Sequence, residues 1–351
     1  MFAFPRYEQV RSALTNWRVF SSAQGVMMNE HINAKLAGVT LCSDPPEHQR
    51  MREVLGRPLH PERVRELTPQ LTAEAKTVVD RVIAIGMFDA VSDLAEHVPM
   101  AVVSDLVGIG PGSGPRMLEW VAGTYDAPGP IQPKAANALA KVADLVEFVT
   151  TEAVPGRGLN PDGWAGQLYA AAERGEIEKE RCPGMVIDYI APSMDSTISA
   201  ISSMIHLFAK NPDQWELLRA DPTLVSHAVH EVLRLESPFQ RFTRVLTEDH
   251  EVEGHMLPAG SRVVLMYGSA NRDERKYPDP DRFDIRRRPT DQLAFGRGVH
   301  VCIGLYLARV EMEAILVALL SKVERFELMH AEWESNTTLR KLRSLRVRVY
   351  T

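Results

Sequence analysis

One ten-residue stretch limits what this chain can fold into more than any other: Phe295-Gly296-Arg297-Gly298-Val299-His300-Val301-Cys302-Ile303-Gly304. A single cysteine sits on a glycine-bent loop that runs straight into an apolar helix. Gly296 and Gly298 can take positive φ and let the backbone pass close beneath a flat ligand. The helix predicted to start near Ile303 turns its N-terminal amides and the positive end of its dipole towards the sulfur, which favours the thiolate. Gly304 leaves room beside the sulfur, and Phe295 supplies an apolar wall that excludes water. A thiolate so placed can bind a metal from one side. Two other readings of Cys302 stay open on this stretch alone. One is a buried structural cysteine, because free cysteine is among the most buried residue types. The other is a zinc site shared with His300. Against zinc, Cys42, Cys182 and Cys302 form no C-x-x-C pair, and no further close histidine or cysteine completes a tetrahedral set.

The pattern F-x-x-G-x-x-x-C-x-G resembles the haem-binding loop of the cytochrome P450 superfamily. The resemblance implies that Cys302 is the axial ligand of the iron of haem b, with Phe295 and Gly304 against the porphyrin. It extends over nearly the whole chain, from the helix at Pro5 to a terminal hairpin. It implies a cytochrome P450 fold, mainly α with a minor β region, that lacks the usual N-terminal helix and strands. That lack predicts a less covered sheet edge around Arg262–Met266 and a more open substrate entrance.

Composition agrees with a large helical domain. The 351 residues carry no Pro/Gly/Ser linker or repeat, so residues 1–351 are expected to form one domain, and 45% hydrophobic residues suffice for a sizeable core. The net charge of −6, with dispersed basic residues, argues against nucleic acid as a partner. Three cysteines without framework spacing fit a reducing cytoplasm. Met1 to Gln9 lack the apolar core of a signal peptide, and no run approaches membrane-spanning length, so no membrane partner is expected. Helical periodicity appears at 5–15, from Asp44 into 55, and at 62–82, 99–107, 115–123 and 135–153. A long apolar helix is predicted from Pro183 to Ala209, broken near Pro192, and others over Leu224–Leu235 and Ile303–Val323. Residues 21–43 read as a long loop, 239–267 as a small β region, 268–301 as irregular chain, and the tail from Thr338 as a hairpin.

Three further constellations acquire meaning beside the cysteine loop. Glu231 and Arg234 stand at i, i+3 on one helical face. Alone they read as a surface ion pair; by resemblance they form a structural triad with Arg282, which holds the cysteine loop in place. His48 and Arg52 stand at i, i+4 in Asp44-Pro-Pro-Glu-His48-Gln-Arg-Met-Arg52, matching the family's D-P-P-x-H-x-x-x-R helix. With Arg244 and His300 they are implied as the haem propionate ligands, a role suited to arginine's bidentate geometry. The stretch Ala191-Pro192-Ser193-Met194-Asp195-Ser196-Thr197 stands where the family has a small-residue kink, then an acid and an alcohol. Asp195 and Ser196 are the implied catalytic proton relay. Pro192 replaces the usual small residue, which leaves the Asp188 carbonyl without its helical partner. Serine in place of threonine keeps the hydroxyl and loses the β-branch that fixes its rotamer. The bland reading of Ser196 is a helix hydroxyl bonded back to its own backbone.

The chain contains no G-x-G-x-x-G fingerprint and no flavin or iron–sulfur segment, so the resemblance implies a ferredoxin or flavodoxin, with its reductase, as electron donor. Arg63, Arg65, Arg297 and Arg309 are candidates for a basic face towards it. The function implied is a haem-thiolate monooxygenase that inserts one oxygen atom from O2 into a small substrate. Met27, Leu36, Ser193, Phe239, Gln240, Phe242 and Leu342 are the candidate pocket lining, with Phe239 and Phe242 suited to a flat ring. The segments Trp120 to Pro130 and Ser237 to Arg244 resemble members that oxidise small aromatic acids or aryl ethers, and Lys35 lies where such members carry a carboxylate-binding arginine. Two alternatives remain at this stage: a peroxide-driven peroxygenase and a non-catalytic haem-binding protein.

Overall fold

A computed structural model of the chain describes residues 1–110, 113–126 and 133–351. Helices dominate, and among the described residues three small sheets flank them, the smallest a hairpin of His250–Val252 with His255–Leu257. The helix Pro61–Ile85 shows how the sequence writes them: Pro61 opens it, Val64, Leu71, Ala75, Val78 and Val82 line its buried face, and Gly86 at φ 76° ends it. It packs against Leu305–Leu320, the helix that leaves the cysteine loop, which also touches Val225–Glu236 and Asp195–Lys210. The cysteine loop is thus mounted on the main core. Among the described residues, no helix is long and apolar enough to cross a membrane.

The predicted apolar helix is broken where proline required it. It forms Cys182–Ile190 and then Asp195–Lys210, with Ala191–Met194 between them in turn conformation. Two helices, Trp164–Glu173 and Pro212–Ala220, were not legible from periodicity. The predicted loop 21–43 contains a short helix, Glu30–Lys35, capped by Asn29, whose side chain accepts from the amides of His31 and Ile32. Of the Trp120 to Pro130 segment, residues beyond Asp126 lie outside the described ones.

The sheets correct two expectations. The first runs Phe2–Phe4, Arg262–Met266, Arg241–Leu246, Phe20–Ser21. Phe2–Phe4 pairs in parallel with Arg262–Met266, Phe2 opposite Val263 and Phe4 opposite Leu265. The edge at Arg262–Met266 is therefore covered. Three residues are too few to show alternation, but Phe4 is buried and meets the Phe20 ring edge-on at 5.8 Å. In the second sheet the hairpin pairs Arg325–Trp333 with Leu342–Tyr350, so it begins well before Thr338, and Met87–Asp89 adds to its other side. Charges on the exposed face of Arg325–Trp333 and a register shift near Leu328 hid that strand in the sequence.

Candidate functional site

Gly296 and Gly298 adopt φ of 68° and 69°, and the Cys302 amide donates to the Phe295 carbonyl at 2.8 Å, closing the loop on itself. A Cβ on Gly298 would stand 2.3 Å from the Leu14 carbonyl oxygen, so only glycine lets the loop lie on the first helix. A Cβ on Gly304 would meet only the Cys302 sulfur, at 4.0 Å, so the flank beside the sulfur is open. Burial pushes the Cys302 thiol up, while the Gly304 amide and the Arg52 charge pull it down. Yet Cys302 keeps accessible surface. A deeply desolvated group with accessible surface faces an internal space.

Around that space stand two histidines and three arginines, some of whose polar atoms lack a partner among the described residues. His48 is buried on the helix Glu47–Gly56, its ring centroid 4.1 Å from that of His300. One turn on, the Arg52 guanidinium donates to the Val301 carbonyl beside the cysteine. Arg244, buried on Arg241–Leu246, donates to the Thr243 carbonyl at 2.7 Å. His48 Nδ1, His300 Nε2 and Arg297 Nε are buried without hydrogen-bond partners among the described residues. Burial, reinforced by neighbouring arginines, holds His48 down at about 4 and His300 at about 2. The nearest carboxylate, Asp44, lies 4.0 Å from His300 and already accepts from the Ser21 hydroxyl and the Ser22 amide. The two rings are thus neutral, and the charge here is that of Arg52, Arg244 and Arg297, which no carboxylate among the described residues pairs, so the space calls for an anion. A flat ligand carrying two carboxylates beside an open sulfur could answer both features. Arg297 was expected on an outer electron-donor face; its place inside this loop was the signal for a role here. Of the other arginines expected on that face, Arg63 and Arg65 are exposed, whereas Arg309 is half-buried and donates to the Ser226 hydroxyl. Among the described residues no group of three or more metal-ligating side chains forms, which leaves the zinc reading without a ligand set.

Glu231 and Arg234 are fully buried and bidentate, at 2.7 and 2.8 Å. Arg234 also donates to the carbonyls of Asn271 and Pro280. The third member is Arg287, whose Nε donates to Glu231 at 3.2 Å. Arg282 was expected there. Its side chain is exposed and only its carbonyl reaches Arg234, at 3.3 Å. A turn closed by the Arg287 amide on Asp284 brings Arg287 back over the carboxylate.

In the broken helix, Ser193 Oγ donates to the Ile190 carbonyl and Ser196 Oγ to the Pro192 carbonyl, each at 2.9 Å. The Ser196 hydroxyl is thus turned to its own backbone. Asp195 is buried, accepts from Lys341 Nζ at 3.0 Å, and shares that lysine with Glu334 at 3.3 Å. Burial raises Asp195 and the Lys341 charge opposes the rise. Lys341 lies far away in sequence and left no signal there.

Of the expected pocket residues, Phe239 and Phe242 lie 5.0 Å apart between ring centroids, and Tyr125 meets Phe239 edge-on at 5.2 Å. Met27 and Leu36 belong to a small apolar cluster with Val26, Ile32 and Cys42, which Phe242 also touches. Ser193 is half-buried. Two residues are elsewhere engaged. The Gln240 amide donates to the carbonyls of Glu236 and Ser237, capping a helix end, and Leu342 is 3% exposed within the main core. Lys35 is exposed. Tyr125 unites the chamber: its phenol is raised by burial and by the charges of Asp195, Cys302 and Asp188 together. Asp188, on the helix before the break, was noted in the sequence for its carbonyl alone.

Residues 214–342 match the family described as Cytochrome P450. The chain is 34% identical over 354 residues to Cytochrome p450 CYP199A2 of Rhodopseudomonas palustris, which covers 99% of this chain and 86% of that protein. It is 32% identical over 358 residues to Beta-dihydromenaquinone-9 omega-hydroxylase of Mycobacterium tuberculosis, covering 99% and 72%. The crystal structure of Mycobacterium marinum cytochrome P450 CYP268A2 in complex with pseudoionone superposes with a TM-score of 0.89 at 25% identity, covering 99% of this chain and 86% of that one.

Proposed function

The chain belongs to the cytochrome P450 family, and from that premise we propose that it inserts one oxygen atom from O2 into a small aromatic substrate, by hydroxylation or O-demethylation, with electrons from a separate ferredoxin or flavodoxin. It is a P450 monooxygenase whose cofactor is haem b, bound in this family through a cysteine thiolate. We assign residues 1–351 to one haem-thiolate domain. The observation that carries the site assignment is Cys302, desolvated yet open on one flank, inside a ring of two histidines and three arginines.

When bound, the haem supplies reductive activation of dioxygen. The chain supplies the rest. Cys302 is the thiolate ligand. His48, Arg52, Arg244 and His300, joined by Arg297, hold the propionates. Phe295 and Gly304 would lie against the haem, Phe295 as an apolar wall that keeps water from the sulfur and Gly304 by leaving the flank beside it open. Asp195, ionised against Lys341, would accept a proton on release from that lysine and hand it on, and Ser196 would relay it after leaving the Pro192 carbonyl. Tyr125, Phe239 and Phe242 support the reading of a flat substrate, since the three rings, in contact at 5.2 and 5.0 Å, make an aromatic wall against which a further ring can pack. Glu231, Arg234 and Arg287 fix the chain that leads into the cysteine loop.

The reduced carbon monoxide complex tests the ligand. Wild type is expected to show the strongly red-shifted Soret band of a thiolate-bound haem, and Cys302→Ala to lose it. A wild-type protein without that band would overturn the assignment. A panel of methoxyaryl compounds tests the substrate class: no spin-state shift with any member would remove the aromatic reading. The hydroxyl held at Pro192 and the acid tied to Lys341 favour a second reading, a peroxide-driven enzyme. Faster turnover with hydrogen peroxide than with ferredoxin and reductase would select it.

A further inference from the structure

The chamber holds one carboxylate that nothing in the reaction uses. Asp188 lies on Cys182–Ile190, and its Oδ2 is buried without a hydrogen-bond partner. The Thr40 hydroxyl and amide lie against this carboxylate, and no cation among the described residues acts on it. That is unlike its neighbours. Asp195 has Lys341, and Glu231 has Arg234 and Arg287. Glu311 is also buried with a free oxygen, but no group of the chamber acts on it.

Its place follows from the fold: Asp188 stands one helical turn before the Pro192 break, and Thr40, which lies against it, is two residues from Cys42 of the small apolar cluster. The Tyr125 phenol responds to the charges of Asp188, Asp195 and Cys302 at once. The Cys42 thiol, in the small apolar cluster with Met27 and Ile32, also responds to Asp188. Asp188 therefore stands at the apolar pocket wall beside the broken helix. An ionised carboxylate there without a counter-charge is costly, and its solvation must come from whatever enters.

We propose that Asp188 is the substrate anchor, and that the pocket selects small aromatic molecules bearing a protonated amine while rejecting aromatic carboxylates. This rests on the haem-thiolate reading of the same chamber and names its substrate class. An ammonium group would close the pair that the protein leaves open. A benzoate would set two anions together, which is the repulsive half of specificity. The position of Lys35, exposed at the surface, removes the cation that an aromatic acid would need. Burial raises Asp188 to about 6, so it is mostly ionised at neutral pH and ready for a cation. The titratable groups its charge reaches, Cys42, Tyr125 and Tyr189, are all pushed up by burial and stay neutral there.

The test uses haem-loaded full-length protein and three matched probes: (4-methoxybenzyl)trimethylammonium, which cannot ligate iron, 4-methoxybenzyl alcohol and 4-methoxybenzoate. Spin-state titration is expected to give wild type at least a roughly tenfold preference for the ammonium over the benzoate. Asp188→Asn is expected to abolish that preference while keeping the red-shifted carbon monoxide band. Lowering the pH from 7.5 to 5 protonates Asp188 and is expected to weaken ammonium binding in wild type while sparing the neutral alcohol. This arm decides the matter if the variant fails to fold. Equal or tighter binding of the benzoate, no shift with the ammonium probe, or an unchanged preference in Asp188→Asn would overturn the proposal. Loss of the carbon monoxide band in wild type would instead overturn the haem-thiolate reading beneath it.

Discussion

Asp195 and Lys341 meet at 3.0 Å with little solvent access to either. Removing one member of such a pair leaves the other charge buried, so Lys341→Met is expected to lower stability by about 3 kcal/mol, seen in thermal melts. Glu311 gives a pH signature. Burial alone raises its carboxyl to about 8, so between the ordinary carboxylate range and that value the folded chain binds a proton that the unfolded chain has lost. Stability therefore falls as pH rises across that window. Glu311→Gln is expected to flatten the decline, checked by melting at pH 5.5 and 8.5. Residues such as Cys302, His48 and Arg52 were legible because their grouping is local: a loop of ten residues, or one helical turn. Lys341, Arg287 and the unpaired state of Asp188 were not. Each depends on chain brought in from a distant segment, and a charged residue in a sequence carries no mark of the partner it will meet or lack.

At the scale of elements, proline wrote the clearest message. The missing Pro192 amide splits the long apolar helix at Ala191–Met194, as its chemistry requires. Short strands were opaque, because Phe2–Phe4 has too few residues for a period and gains its place only by pairing with Val263–Leu265. The triad separated by the same logic. Its helical half, Glu231 and Arg234, could be read from spacing, whereas the arginine from irregular chain could not, since a turn rather than a period delivers it. Arg287→Ala is expected to cost about 1–3 kcal/mol by leaving the Glu231 carboxylate short of a donor. Arg282→Ala is expected to stay within about 0.5 kcal/mol, because only its backbone takes part. Side-by-side melts and the fraction of red-shifted carbon monoxide complex check both.

For the whole molecule, an excess of negative charge coexists with two exposed arginines, Arg63 (paired with Glu66 at 3.1 Å) and Arg65, on the helix that packs against Leu305–Leu320. Reversing both charges (Arg63→Glu with Arg65→Glu) is expected to raise KM for an acidic ferredoxin about tenfold at low salt, with the difference shrinking in 0.5 M NaCl. Turnover against donor concentration at the two salt levels checks it. The wall of arginines around Cys302 has a consequence for production in living cells. Until porphyrin arrives, the chain must keep mutually repelling guanidinium groups close together, so its unfilled form is the easier one to open and the first that proteases cut. Recovered protein should therefore rise with 5-aminolaevulinate in the growth medium, and a culture starved of iron should yield fragments in place of a colourless full-length product.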